Sequence, residues 1–217
     1  MIRRIVADTP EQAEQAEQAL RLAELGIAVV PGAYPTADGR CSCGDRGCRT
    51  SAAHPADSGW LFHATTDPDT VARWWRECPQ AGIIVPLLGG FHVVEVAPGM
   101  AQEALHWLPE HYVGPVAITP SGRYQFWAAP GAEVELAVLL GRKGCSLCDV
   151  DLRVLREGTY VLAPPSSLGA AGAYRWVRPP LTRIRDLPES GALLHRLCDV
   201  CDRVALRRPV RAGRVAS

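Results

Sequence analysis

Apolar positions along the chain alternate between helix-like and strand-like spacing, and Gly and Pro mark the changes. Thr9-Pro10-Glu11-Gln12 has the form of a helix start, with Thr9 as cap, Pro10 in the first turn and Gln12 completing a capping box. Ala13, Ala16, Leu20, Ala23 and Leu25 continue it to a stop at Gly26. Ile27 to Val30 then reads as a strand closed by Pro31-Gly32. A second helix is expected from a cap at Asp67 through Trp74 and Trp75 to Cys78, with both tryptophans read as packing anchors and base stacking as the alternative. Gly82 to Val85 and Phe91 to Val96 read as buried strands, the second bounded by Gly90 and by Pro98-Gly99. A short helix from Met100 to Leu108 precedes a hairpin: Val116 to Thr119, the turn Pro120-Ser121-Gly122, and a return from Arg123 to Trp127 with one face open. Val134 to Leu140 reads as helix, and strands follow at 149–154, 159–163 and 174–177. Leu187 to Val204 reads as a terminal helix.

This alternation predicts an α/β (α+β) protein with a central mixed, largely antiparallel sheet flanked by helices, a looped insertion and a C-terminal helical extension. The expected organisation is one main domain over 1–180, with the loop 32–59 inserted in it, and a helix and basic tail over 181–217. A length of 217 residues suffices for one well-buried domain. The formal net charge of zero gives no global pull toward polyanions. Only the tail, with Arg203, Arg207, Arg208, Arg211 and Arg214, is locally basic, and it reads either as a solvated end or as a non-specific nucleic-acid arm. The N-terminus carries no apolar signal core and no apolar run is long enough for a membrane span, so the expected location is the cytoplasm with no membrane partner.

In that compartment cysteines serve as thiols or metal ligands rather than as disulfides. Cys41, Cys43, Cys48 and His54 fall within fourteen residues of a long loop rich in Gly, Pro and Asp. Such a set can complete a tetrahedral zinc shell, with Gly44 and Gly47 letting the backbone bend; free loop thiols are the alternative. Cys145 and Cys148 share a two-residue spacing with Cys198 and Cys201, about fifty residues later. The two pairs make a candidate second zinc site, against a redox pair or unrelated buried thiols.

One acid, Glu95, stands on the most apolar strand. A carboxylate there is costly unless a metal, a cation or hydrogen bonds compensate it. Ala97 sits two positions later on the same face. The turn Ser121-Gly122 with Arg123 offers phosphate contacts, a weak signal taken alone.

The order of these landmarks resembles the N-terminal primase/polymerase (prim-pol) domain of bifunctional DNA primase/polymerases. The resemblance runs from about Ala19 to about Val177. It rests on Leu25-Gly26-Ile27-Ala28-Val29-Val30-Pro31, Cys41-Ser42-Cys43-Gly44 with Cys48 and His54-Pro55, Gly59-Trp60, Ala64-Thr65-Thr66-Asp67-Pro68 with Trp74-Trp75, Thr119-Pro120-Ser121-Gly122, and Tyr160 to Ser166. It implies template-directed nucleotidyl transfer, with two divalent cations, Mg2+ or Mn2+, held by carboxylates. The family's acid-x-acid pair falls on Glu95 and Ala97, so one acid is replaced. Its third acid falls on Asp151, followed by Arg153. The histidine that contacts the incoming triphosphate is best matched by Tyr124, preceded by Arg123. The implied residual catalytic residues are Glu95 and Asp151, and the implied nucleotide contacts are Ser121, Gly122, Arg123, Tyr124 and Arg153. The implied partners are DNA and a nucleoside triphosphate. With no P-loop in the chain, a helicase or other replication protein would be a separate polypeptide.

Three functions compete on these grounds: a primase/polymerase-like protein with weakened or lost catalysis that binds nucleic acid or nucleotide, an active metal-dependent primase/polymerase, and a zinc-stabilised regulatory or scaffold protein without a nucleic-acid role.

Overall fold

The structure is a computed structural model that describes residues 9–50, 52–109, 112–140 and 151–207, with residues 140 and 201–207 described by backbone alone. The element order is α1 (Pro10–Glu24), β1 (Val30–Gly32), α2 (Trp60–His63), α3 (Pro68–Glu77), β2 (Gly82–Pro86), β3 (His92–Val96), α4 (Pro98–Trp107), β4 (Val116–Ile118), β5 (Tyr124–Ala128), α5 (Ala132–Leu140), β6 (Leu152–Leu155), β7 (Tyr160–Ala163), β8 (Arg175–Arg178) and α6 (Ser190–Arg207). The helix starts read from the sequence are present. Thr9 accepts a hydrogen bond from the Gln12 amide, Asp67 accepts one from the Thr70 amide, and Pro10 and Pro68 occupy the first turns of their helices.

The strands form two sheets, one of three strands in the order β1-β2-β7 and one of five in the order β6-β3-β5-β4-β8. Every pairing among the described strands is antiparallel, so the α+β class holds with antiparallel sheets flanked by helices. The hairpin expected to keep one face open does not: β5 is the middle strand of its sheet and all five of its residues are buried. Its polar residue Gln125 was the misleading signal, because it is buried against another polar group and not against water.

Alternation along the five-stranded sheet divides its neighbours. Val94, Val96, Tyr124, Phe126 and Val116 face one core that includes residues of α4, α5 and α6. Val93 and Trp127 face another, which includes Ile83 and Val85 of β2 and the buried sides of α1 and α3. Trp75 is fully buried in that second core, and its indole N–H donates to the Ala81 carbonyl at 3.0 Å. Both tryptophans of α3 therefore anchor packing, Trp74 more peripherally. The C-terminal helix docks Leu193, Leu194, Leu197 and Val200 into the first core. Among the described residues no helix is long and apolar enough to cross a membrane.

Candidate functional site

Strand register places the site. Glu95 of β3 lies between Arg153 of β6 and Gln125 of β5, and all three share the face that carries Val93 and Trp127. One step further along, the Ala97 amide donates to the Asp151 carbonyl at 3.2 Å, and Thr119 and Arg123 pair across the β4–β5 turn. This places Asp151 and Arg123 in the next row on the same face, on either side of Ala97. An apolar row of Leu155, Val93 and Trp127 is thus followed by a polar row and then by the ends of the strands.

Glu95 is only 5% exposed, and both of its oxygens are engaged. Oε1 accepts from Arg123 Nε at 2.6 Å and from Arg153 Nε and Nη2 at 2.8 and 2.5 Å. Oε2 accepts from Gln125 Nε2 at 2.9 Å. Burial pushes the Glu95 carboxyl up, but the hydrogen bonds from Gln125, Arg153 and Arg123 outweigh it and hold the group below its ordinary value. Arg123 also pairs through Nη1 with the Asp151 carboxylate and donates through Nη2 to the Asp151 carbonyl at 2.9 Å. Burial works against the Arg123 charge, while Asp151 and Glu95 hold its pKa above the ordinary value. The two candidate carboxylates are therefore brought together, and a guanidinium lies between them. Nearby, Tyr174 is pushed up to about 12, first by burial and then by the charges of Glu95 and Tyr160.

The turn before Arg123 is built for tightness. Gly122 has a φ of +83°, a conformation that suits glycine, and its amide donates to the Thr119 carbonyl at 2.9 Å. The Ser121 hydroxyl lies 2.9 Å from that of Thr119, and Gly122 lies beside Pro98 at the start of α4. Ala97 is the N-terminal cap of α4 and makes no side-chain capping bond.

Tyr124 does not join this cluster. It lies on the opposite face of β5, packed in the core that holds Val94 and Val96. The inward residue is Gln125, which sequence reading passed over; the pairing of position 125 with Glu95 is set by strand register, and no local motif announces it.

The second cluster is in the loop between β1 and α2. Cys41, Cys43, Cys48 and His54 offer four ligand atoms within 4.8 Å of one another. His54 Nε2 lies 3.2 Å from Cys41 Sγ and 3.5 Å from Cys48 Sγ. Zinc–sulfur and zinc–nitrogen bond lengths put neighbouring ligands of a tetrahedral ion about 3.5 Å apart, so the set fits. His54 Nδ1 lies 2.7 Å from the Pro55 carbonyl, a donor role that leaves Nε2 for a metal. The four residues can hold a metal such as zinc. The loop is fastened on both sides: Ala33 N donates to the His54 carbonyl at 2.8 Å, and the Tyr160 hydroxyl of β7 donates to the Ala53 carbonyl at 3.2 Å. Of the other cysteine set, Cys198 packs against the core below α6. Cys145, Cys148 and the Cys201 side chain lie outside the described residues.

The family model described as "Bifunctional DNA primase/polymerase, N-terminal" matches residues 19–190, most of the chain. No match is found among curated proteins. The chain belongs to the bifunctional DNA primase/polymerase N-terminal family.

Proposed function

Proceeding from that membership, we propose that the chain binds nucleic acid or nucleotide on a nucleotidyltransferase fold whose catalysis has been weakened or lost. One observation carries the reading: Arg123 stands between Glu95 and Asp151. Two-metal transfer places cations about 3.5–4 Å apart to activate the attacking oxygen and stabilise the leaving one. Magnesium at such centres is bound through carboxylates and substrate phosphates. Here Oε1 of Glu95 accepts three N–H bonds and Oε2 accepts a fourth. Position 97 offers a methyl group instead of a carboxylate. A cation arriving at Glu95 would meet a guanidinium already paired with its ligand, and the like charges repel. The residues do not fit a pair of divalent cations.

What remains is a binding surface. The Ser121-Gly122 turn and Arg153 are its accessible parts, and Arg153 is 60% exposed. DNA and a nucleoside triphosphate are the partners this reading requires. A primer-extension assay with Mg2+ or Mn2+, run beside a binding assay on single-stranded and primer-template DNA, tests the reading. The expected result is salt-sensitive binding without incorporation above that of a Glu95→Gln variant. Robust incorporation that depends on Glu95 would overturn it.

A further inference from the structure

At the far edge of the five-stranded sheet from β6 stands β8, which pairs only with β4. The stretch that begins with β8 concentrates positive charge. Residues 175–186 hold Arg175, Arg178, Arg183 and Arg185 against one acid, Asp186, in a chain whose formal net charge is zero. Arg175, Arg183 and Arg185 are exposed. Apolar surface accompanies this charge: Leu181 is 73% exposed and Val177 40%. With Val113, Pro115, Pro179 and Pro188 they line an open cleft of about 420 Å3, and Arg178 stands in its wall. The walls are held in place. Trp176 packs edge-on against the buried Trp127 with ring centres 5.3 Å apart. The Ile184 amide donates to the Leu25 carbonyl at 3.1 Å, and the Ala129 amide donates to the Pro188 carbonyl at 2.8 Å. A cleft formed in advance lowers the cost of binding.

An edge strand can take on a further strand through its main-chain groups, and pockets beside it choose among side chains. A second copy of β8 is a poor partner. Antiparallel self-pairing about its centre would set Arg175 opposite Arg178, and like charges facing across a pair destabilise it. An acidic strand has the complementary charge. Phosphate groups would also match the arginines, but they would leave Val177, Leu181 and the prolines unused, so the apolar cleft favours a peptide. We propose that β8 and the cleft beside it form a docking surface for an extended acidic segment of a partner protein, which adds to the sheet edge and places an apolar side chain in the cleft. The arginines select the sign of the segment, and Val177 and Leu181 receive its anchor.

Fluorescence anisotropy with the full chain would use a labelled peptide of alternating aspartate and leucine, the same peptide with serine for leucine, one with lysine for aspartate, and a labelled oligo-dT. The variants are Leu181→Ser and the double change Arg178→Gln with Arg183→Gln, with folding checked by circular dichroism. The aspartate–leucine peptide should bind, and more weakly as salt is raised. The serine and lysine peptides should bind at least about tenfold more weakly, and the double variant should weaken the aspartate–leucine peptide by at least about tenfold, the loss of charge-assisted contacts. Leu181→Ser should weaken it as well. Hydrogen exchange should slow at the β8 amides that point away from β4 when the peptide is bound. Failure of the peptide to bind, equal binding to wild type and both variants, equal binding of the serine peptide, or unchanged exchange at β8 would each overturn the inference. If the double variant releases oligo-dT and leaves the peptide unaffected, the arginines belong to a nucleic-acid surface and the peptide site is likewise overturned.

Discussion

Replacing Glu95 by alanine should destabilise the protein through the charge it strands. The carboxylate receives Arg123 at 2.6 Å, Arg153 at 2.8 and 2.5 Å, and Gln125 at 2.9 Å, while only 5% exposed. Truncating one partner of a buried ion pair costs about 3–5 kcal/mol, because the other charge stays behind unpaired. Arg153 is more than half exposed and can rehydrate, and Arg123 keeps Asp151, so the lower end applies, about 3 kcal/mol. Glu95→Gln keeps the shape and an acceptor oxygen and should lose about half as much. Removing Arg123 together with Glu95 should cost less than the two single changes added, by about 1–2 kcal/mol. Urea unfolding at pH 7, followed by the fluorescence of the six tryptophans, measures Glu95→Ala, Glu95→Gln, Arg123→Ala and the double variant. The pH dependence has a definite sign. The folded-state pKa of Glu95 lies below its ordinary value, so its contribution is complete above the unfolded value of about 4.3. It is lost as pH falls through the lower, folded value. Wild type should therefore lose stability in acid more steeply than Glu95→Gln. A Glu95→Ala variant within about 0.5 kcal/mol of wild type, or a strictly additive double variant, would refute the coupling.

Three further outcomes follow from other parts of the fold. Metal analysis of the purified chain should find zinc at the Cys41, Cys43, Cys48 and His54 cluster, and strong chelation should lower the melting temperature; unchanged zinc content when Cys41 and Cys48 are both replaced by Ser would exclude this cluster as the site. Trp75→Phe should cost only about 1–2 kcal/mol, because Gln15 Nε2 still satisfies the Ala81 carbonyl at 2.8 Å, whereas Trp75→Ala should cost about 3–5 kcal/mol in the same unfolding assay. Gly114→Ala should destabilise by about 1–3 kcal/mol, since a β-carbon there would collide with the Trp127 carbonyl and with Pro188, and a neutral result in thermal melts would contradict that close approach.

Much of this architecture is legible residue by residue. Caps at Thr9 and Asp67 and prolines directly behind them locate two helices, because these are local hydrogen-bond rules. The Cys and His cluster is equally local, since its ligands fall within one loop. Pairing is a different matter. That β5 becomes the middle strand depends on partners contributed from both sides, and a polar Gln125 then resembles a solvent-facing residue until its neighbour Glu95 is known. The same limit hid the inward Gln125 behind Tyr124, which shares its strand but not its face. The two acids were singled out from their places in the chain. The guanidinium between them arises from a turn and an edge strand meeting at one row, which only the register reveals.

Position 97 lies one row beyond Glu95, where α4 begins. An aspartate placed there would find the first amides of α4 within its reach, since the helix begins at Ala97 without a side-chain cap. It would also arrive beside Arg123, already spoken for by two acids. A single Ala97→Asp change would therefore be absorbed as a stabilising cap or as one more partner for the guanidinium. Were Arg123 removed as well, Glu95 would keep Arg153 and Gln125, while Asp151 and the new acid would share the next row without their guanidinium. The row beyond Glu95 therefore has room for a further acid, but none that would free a carboxylate from its guanidinium partners.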